Sequence, residues 1–148
     1  MSYSFWYAFP VVVIAGAAVA LQAPINASLG RSLDSTIAAA AISFGVGFAV
    51  LLLLAFITGG AAVFSPLAGV AWWQLIGGMI GAYYVWATLW GVPTLGVLTT
   101  VAALILGQMV AALLLDTFGP LGLPVRELSA ARIAAIVLVS SGLVLSRF

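Results

Sequence analysis

Cysteine and histidine are absent from the 148-residue chain, and all four of its basic residues are arginines. These absences exclude disulfides, thiolate nucleophiles, imidazole bases and the zinc sites built from those side chains. Charge of either sign is also scarce, with three acidic residues against the four arginines and a formal net charge of +1. Such a balance provides neither a basic face for nucleic acid nor a polybasic cluster for anionic lipids. We therefore expect no metal, no cofactor and no nucleic-acid partner.

What the chain has in excess is apolar side chains, which make up 66% of its residues, whereas only 5% are charged. In a soluble domain of this size, about a quarter of the residues are charged. The composition therefore predicts a protein whose partner is the lipid bilayer. A helix needs about 20 mostly apolar residues to cross a hydrocarbon core of about 30 Å, so the chain has room for five spans. The predicted fold class is an all-α membrane protein.

Glycine, proline and charged residues divide the chain into five predicted helices within a single transmembrane domain, residues 1–148. Asp34, Ser35 and Thr36 are candidates for the N-cap of the second helix. Pro93 is predicted to separate the third helix from the fourth. The fifth helix is shorter than the others and reaches a full span only if it begins near Ser129. The predicted spans are residues 6–29, 36–57, 71–91, 95–115 and 129–146.

The first span has a second interpretation as a cleaved signal peptide, because the small residues Ala18, Val19 and Ala20 follow an apolar run. A signal peptide begins with a basic region, and no basic residue precedes Arg31. A membrane span is therefore the favoured interpretation.

The arginines favour neither orientation of the chain in the membrane. With five spans the termini lie on opposite sides and the loops alternate between them. Arg126 and Arg132 then share one side while Arg31 and Arg147 share the other, so the positive-inside rule gives a tie. Either another factor fixes the topology, or the chain inserts in both orientations. Dual insertion would permit an antiparallel homodimer, in which the two chains form the inverted repeats found in many transporters.

Short motifs along the whole chain resemble those of one transporter family. In order they are Pro24–Arg31, Ser43–Gly47, Gly77–Val85, Pro93–Gly96, Gly107-Gln108, Asp116–Gly119 and Arg132. Their order and spacing are similar to those in the YdcZ-type members of the drug/metabolite transporter superfamily. One position differs: the family often has a glycine three residues after the arginine, and this chain has Ala135 there. The resemblance implies an inner-membrane transporter without naming a solute. It also implies a bundle of ten helices made of two inverted five-helix repeats, with one chain supplying one repeat.

Polar side chains within the spans are the candidates for a solute site, because unpaired polar groups are costly in a bilayer. Gln22 and Asn26 lie four residues apart on one face of the first span, with Pro24 between them to free a backbone carbonyl. Alternatively, this amide pair holds two helices together. Gln108, deep in the fourth span, needs either a solute or a group on another helix as its partner.

Hydroxyl groups are weaker candidates, because in membrane helices they commonly bond to their own backbone. These candidates are Ser43, Thr99 and Thr100.

The third span carries two stripes of residues at helical spacing. One stripe consists of Gly77, Gly81, Tyr84 and Thr88, and the other of Met79, Tyr83, Trp86 and Trp90. The two glycines form a small-xxx-small pattern, which predicts close helix packing. The aromatic residues Tyr83, Tyr84 and Trp86 could line a cavity for apolar, aromatic or cationic solutes, or they could be part of the core.

No acidic residue lies in the middle of a span. Small multidrug exporters of the superfamily that the chain resembles use a glutamate in the first helix, where this sequence has only amides. Asp116, at the end of the fourth span, is therefore the candidate for coupling to protons or cations, unless it is simply a helix-end residue in water. Arg126, Glu127 and Arg132 are interpreted as loop or interfacial charges.

The leading interpretation is a transporter that moves a small metabolite or amphipathic solute by alternating access, as an antiparallel dual-topology homodimer. The main alternative is a non-transporting scaffold or subunit of a hetero-oligomeric membrane complex. An intramembrane enzyme is the least supported function, because a serine nucleophile would have only Asp116 as a base.

Overall fold

The computed structural model describes residues 3–146 and 148, with side chains from residue 7 onward. Every regular element in that part of the chain is helical. Four helices are long and apolar enough to cross a bilayer, and a shorter apolar helix follows them. These features confirm the predicted all-α membrane class. The chain forms two compact units, Met1–Thr94 and Leu95–Phe148. Arg147, one of the four arginines used to predict the topology, lies outside the described residues.

The first unit begins with a hairpin of two long helices, α1 (Tyr3–Ser32) and α2 (Thr36–Gly59). Asp34 turns the chain by adopting a left-handed conformation with φ 48°. Ser35 then caps α2, because its hydroxyl accepts a hydrogen bond from the backbone N–H of Ala38 at 3.2 Å. The connection is therefore only a few residues long, which makes α1 and α2 antiparallel neighbours.

The third helix, α3 (Ile76–Leu95), follows two 3-10 helices, Gly60–Gly69 and Trp72–Leu75. The prediction that Pro93 separates the third and fourth helices is wrong, because α3 continues through it. A proline in the last turn removes only the hydrogen bond to the carbonyl four residues earlier, so the helix tolerates it. The break falls instead at Gly96, whose φ of 81° favours glycine.

The three helices of this unit pack through small residues, which allow their backbones to approach closely. Ala23 and Ala27 of α1 form a buried cluster with Val92 of α3. A second buried cluster joins α2 to α3 and consists of Ala39, Ala40, Val85 and Leu89.

The second unit contains α4 (Val97–Phe118) and α5 (Ala130–Leu145), which pack against each other. Gly119 ends α4 in a left-handed conformation, with φ 58°. The connection folds back onto the helix end, where the N–H of Arg126 donates to the carbonyl of Asp116 at 2.7 Å. With 16 residues, α5 is about 24 Å long, which is less than the hydrocarbon thickness of about 30 Å.

Candidate functional site

Among the described side chains of α1, Asn26 is the most buried polar group, with 7% of its surface exposed. Its amide Nδ2 donates a hydrogen bond to Oγ of Ser43 on α2, at 3.0 Å. Two residues selected from the sequence are thus in direct contact across two helices. Hydrogen bonds between membrane helices stabilise by about 0.6 kcal/mol on average and at most about 2 kcal/mol. The bond therefore aligns α1 and α2 at a modest gain in stability.

A small cavity of about 10 Å³ lies beside Asn26. It brings Gln22 and Asn26 together with Tyr84 of α3, and Val19, Ala23, Val85, Thr88 and Leu89 complete its lining. This volume matches about one water molecule. In this conformation the site is therefore closed to any larger solute.

Thr88 lies under this cavity, and its hydroxyl donates to the backbone carbonyl of Tyr84 at 2.7 Å. The threonine is buried, whereas Tyr84 is half-buried. The donor of Thr88 is already used within α3, which leaves the two amides and Tyr84 as the polar groups available to a ligand.

An apolar groove of about 330 Å³ lies between α2 and α3. The rings of Tyr83 and Trp86 form one wall, with their centroids 5.9 Å apart. Ile37, Ala40, Ala41, Phe44 and Ala82 provide the rest of the lining. The groove thus offers an aromatic and aliphatic surface of solute size.

The two glycines of the packing motif have different environments. A Cβ atom added at Gly81 would lie 3.6 Å from the ring of Phe44, in ordinary van der Waals contact with α2. A Cβ added at Gly77 would meet no atom within 4 Å in the part of the chain that the structure describes. Within one chain, therefore, only Gly81 faces a neighbouring helix.

A polar cavity of about 400 Å³ lies at the turn between α1 and α2. Arg31 and Asp34 provide its charged groups, and Ser35 and Thr36 its hydroxyls. Leu89, whose carbonyl receives no hydrogen bond from Pro93, is part of the same lining. The sequence patterns did not predict this cavity, because the arginine count indicates only on which side of the membrane Arg31 lies.

The remaining candidates lie in the second unit. The hydroxyl of Thr100 bonds back to the carbonyl of Gly96 at 2.7 Å, whereas Thr99 accepts a hydrogen bond from Ser146 at 3.3 Å. Gln108 is exposed near the middle of α4, and its amide has no hydrogen-bond partner among residues 3–146 and 148. Thr100 is thus occupied, while Gln108 still needs a partner.

Asp116 forms an ion pair with Arg132, joining the end of α4 to the start of α5. The two side chains are about a third exposed, at 35% for Asp116 and 28% for Arg132. The second guanidinium nitrogen of Arg132, Nη1, is enclosed without an acceptor in the described structure. An unsatisfied buried donor of this kind costs about 1–3 kcal/mol.

Arg132, interpreted from the sequence as a loop or interfacial charge, lies in the first turn of α5, where its side chain binds Asp116. The sequence offered one usable signal for this contact. A carboxylate at the end of one helix and an arginine at the start of the next meet when a short connection makes the helices antiparallel neighbours. For Thr88 and Ser146 the sequence gives no comparable signal.

Comparison with known proteins agrees with a chain of apolar helices in a membrane. Residues 7–145 match the family described as "Putative inner membrane exporter, YdcZ". The inner membrane protein YdcZ of Escherichia coli (strain K12) is 29% identical over 137 residues, which cover 92% of each chain. No solved structure matches the chain significantly. The chain therefore belongs to the YdcZ family of the drug/metabolite transporters and is a multi-pass protein of the inner membrane.

Proposed function

We propose that this protein is a transporter that carries a small metabolite or amphipathic solute by alternating access, as an antiparallel dual-topology homodimer. The proposal rests mainly on the convergence of Gln22, Asn26 and Tyr84 on one small cavity between α1 and α3. Ser43 holds Asn26 in place, and the groove lined by Tyr83 and Trp86 lies between α2 and α3 of the same unit. Amides that orient a solute beside aromatic walls that bind its apolar part form a typical small-molecule site.

The uncharged character of this site indicates which solutes it accepts. Amide groups donate and accept hydrogen bonds but do not titrate near neutral pH. The lining of the groove and of the small cavity includes no ionisable acid or base other than tyrosine. Neutral or amphipathic solutes are therefore favoured over small inorganic ions.

Gln108 supports the homodimer. It lies near the midpoint of α4, where water is absent and an unpaired amide is costly. In an antiparallel dimer whose two-fold axis lies in the membrane plane, only residues near the bilayer midplane can meet their own counterparts. Two glutamine amides can each donate to and accept from the other. Gln108 of one chain thus pairs with Gln108 of a second chain, and Thr100 lies two turns away on the same helix.

We assign coupling to Asp116. This carboxylate lies in the last turn of α4, a helix long enough to span the membrane, and it lines a cavity. Its partner Arg132 neutralises it in this conformation. A proton or cation that binds Asp116 would release Arg132 and loosen the contact between α4 and α5. No enzymatic activity is proposed, since the sequence contains no cysteine, histidine or lysine.

A scaffold function is the second candidate, and the environment of Gly77 favours it. This glycine belongs to a small-xxx-small pattern, yet no side chain of the described chain lies against it. A helix of another membrane protein could occupy that face. Specific uptake of solute by vesicles containing only the purified chain would exclude a purely structural function.

The test of the homodimer is accessibility labelling of a single cysteine introduced after Phe148, in intact and permeabilised cells. The native chain has no cysteine that could react. Labelling of about half of the chains from outside is the expected result, because the arginine count favours neither orientation. Labelling of all chains or of none would contradict dual topology and leave a parallel assembly or another partner.

A further inference from the structure

We propose that the cavity between α4 and α5 binds a zwitterionic phospholipid whose headgroup carries a primary ammonium, as in phosphatidylethanolamine. The cavity measures about 180 Å³ and is open at one side. It is lined by Met109, Ala112, Leu113, Asp116, Arg132, Ala135 and Ile136. Lipid binding does not require that the protein transports a solute, although it uses Asp116, the residue assigned to coupling.

The cavity has the polarity of a lipid molecule. Its two charged residues, Asp116 and Arg132, lie at the end formed by the last turn of α4 and the first turn of α5. The other lining residues are apolar and extend inward as far as Met109. Met109 and Asp116 are seven positions apart on α4, which corresponds to about 10 Å. A headgroup at the membrane surface and an acyl chain directed into the bilayer fit this gradient.

The guanidinium of Arg132 has an unused donor. One of its nitrogens donates to Asp116, while Nη1 is enclosed and lacks an acceptor. A small rotation of the guanidinium would present Nη1 to the cavity that the side chain lines. Phosphate oxygens are the acceptors that match an arginine best. A phosphate in the cavity would therefore satisfy a group that the protein alone leaves unpaired.

Asp116 determines which headgroup fits. The ion pair is neutral, so a second anion without a cation would leave a net negative charge beside Asp116. A primary ammonium on the same headgroup cancels this charge and can donate a hydrogen bond to the carboxylate. Phosphatidylglycerol lacks the ammonium, and the trimethylammonium of phosphatidylcholine has no N–H to donate. Ethanolamine headgroups are therefore preferred.

The test is native mass spectrometry of the purified full-length protein in detergent, with phosphatidylethanolamine, phosphatidylcholine or phosphatidylglycerol of identical chains. We expect the ethanolamine lipid to be retained about tenfold better than the other two lipids, because one charge-assisted hydrogen bond gives a difference in affinity of about this size. Equal retention of the three lipids would overturn the proposal. Glycerophosphoethanolamine, the soluble headgroup without chains, should not compete at equal concentration, and full competition would overturn the assignment to a lipid.

Two variants and a matched control connect retention to this cavity. Arg132→Gln removes the phosphate donor and should lower the retention of all three lipids. Ile136→Trp fills the apolar part while keeping the ion pair and should abolish the preference for ethanolamine. Arg126→Gln is the control, because it removes one arginine from the same predicted side of the membrane and so changes the topology balance equally, but Arg126 does not line the cavity. An unchanged preference in Ile136→Trp, or its loss in Arg126→Gln, would contradict the proposal.

Discussion

Asp116 and Arg132 each occupy the end of a helix at which their charge is unfavourable, and they pair with each other. Asp116 lies in the last turn of α4, where carbonyl groups carry partial negative charge, and Arg132 lies in the first turn of α5, where N–H groups carry partial positive charge. An ion pair between the two groups offsets both unfavourable positions. It also closes the α4–α5 connection at the end opposite to the contact between Thr99 and Ser146.

Exchanging the two residues should therefore stabilise the protein. We expect the double variant Asp116→Arg/Arg132→Asp to be more stable than the native chain by about 0.5–1 kcal/mol, since each charge then matches its helix end. Both positions lie on the same predicted side of the membrane, so the arginine balance does not change. Unfolding in mixed micelles measures the difference. Each single variant should be less stable, and a double variant no better than the singles would contradict the pairing.

The same double variant separates stability from coupling. If Asp116 binds the coupling ion from its place on α4, the exchanged protein should fold but lose the dependence of transport on an ion gradient. Flux into vesicles with and without a pH gradient is the measurement. Unchanged gradient dependence would show that the carboxylate at position 116 is not the coupling group.

The contact between Asn26 and Ser43 should behave as a coupled pair. Asn26→Ala and Ser43→Ala should show a coupling energy of about 0.6 kcal/mol in a double-mutant cycle. Asn26→Ala should also lower solute flux, because it removes the buried amide from the cavity. Ser141→Ala is the control, since that hydroxyl bonds only to the backbone of its own helix. Additive effects at positions 26 and 43 would exclude an energetic contact.

Filling the apolar groove should reduce solute binding. Ala41→Trp and Ala82→Trp both insert a ring into the space beside Tyr83 and Trp86, whereas Ala103→Trp adds the same ring to an exposed position on α4. We expect the first two variants to lower transport about tenfold while the third retains it. Transport that is unaffected by either groove variant would place the solute path elsewhere.

Single cysteines along α4 can establish the arrangement of two chains. Val101, Gln108 and Leu115 are spaced seven residues apart and share one helix face. An antiparallel contact centred on Gln108 predicts that two chains carrying Gln108→Cys cross-link on oxidation. It also predicts cross-linking of a Val101→Cys chain with a Leu115→Cys chain when the two variants are mixed. Strong cross-linking of Val101→Cys with itself and of Leu115→Cys with itself would instead indicate parallel chains.

One added lysine should decide the orientation of the chain. Ala62→Lys adds positive charge to the loop after α2, and Leu33→Lys adds it to the loop after α1; these loops lie on opposite sides of the membrane. The positive-inside rule then directs the C-terminus outward in the first variant and inward in the second. Labelling of a C-terminal cysteine from outside the cell should rise to nearly all chains in Ala62→Lys and fall to nearly none in Leu33→Lys. Identical labelling in both variants would contradict the balanced topology.

The sequence determines the membrane class and most of the helix boundaries, because both depend on local properties. Hydropathy sums over neighbouring residues, and Ser35, Gly60 and Gly119 mark helix ends through their own backbone and side-chain chemistry. The family resemblance was likewise carried by short local motifs. Pro93 does not end α3, because a proline can either end a helix or lie within its last turn, depending on the packing around it.

The contacts between helices were decided only by the tertiary structure. Helices that are apolar all round have no amphipathic stripe, so the sequence does not specify which face is turned inward. Asn26 could therefore be selected as a polar residue, but its pairing with Ser43 depends on the rotation of both helices. The same holds for Arg132, which binds Asp116 only because α4 and α5 are antiparallel neighbours. Local chemistry thus determined which groups this protein contains and where its helices run, whereas helix packing determined which of those groups meet.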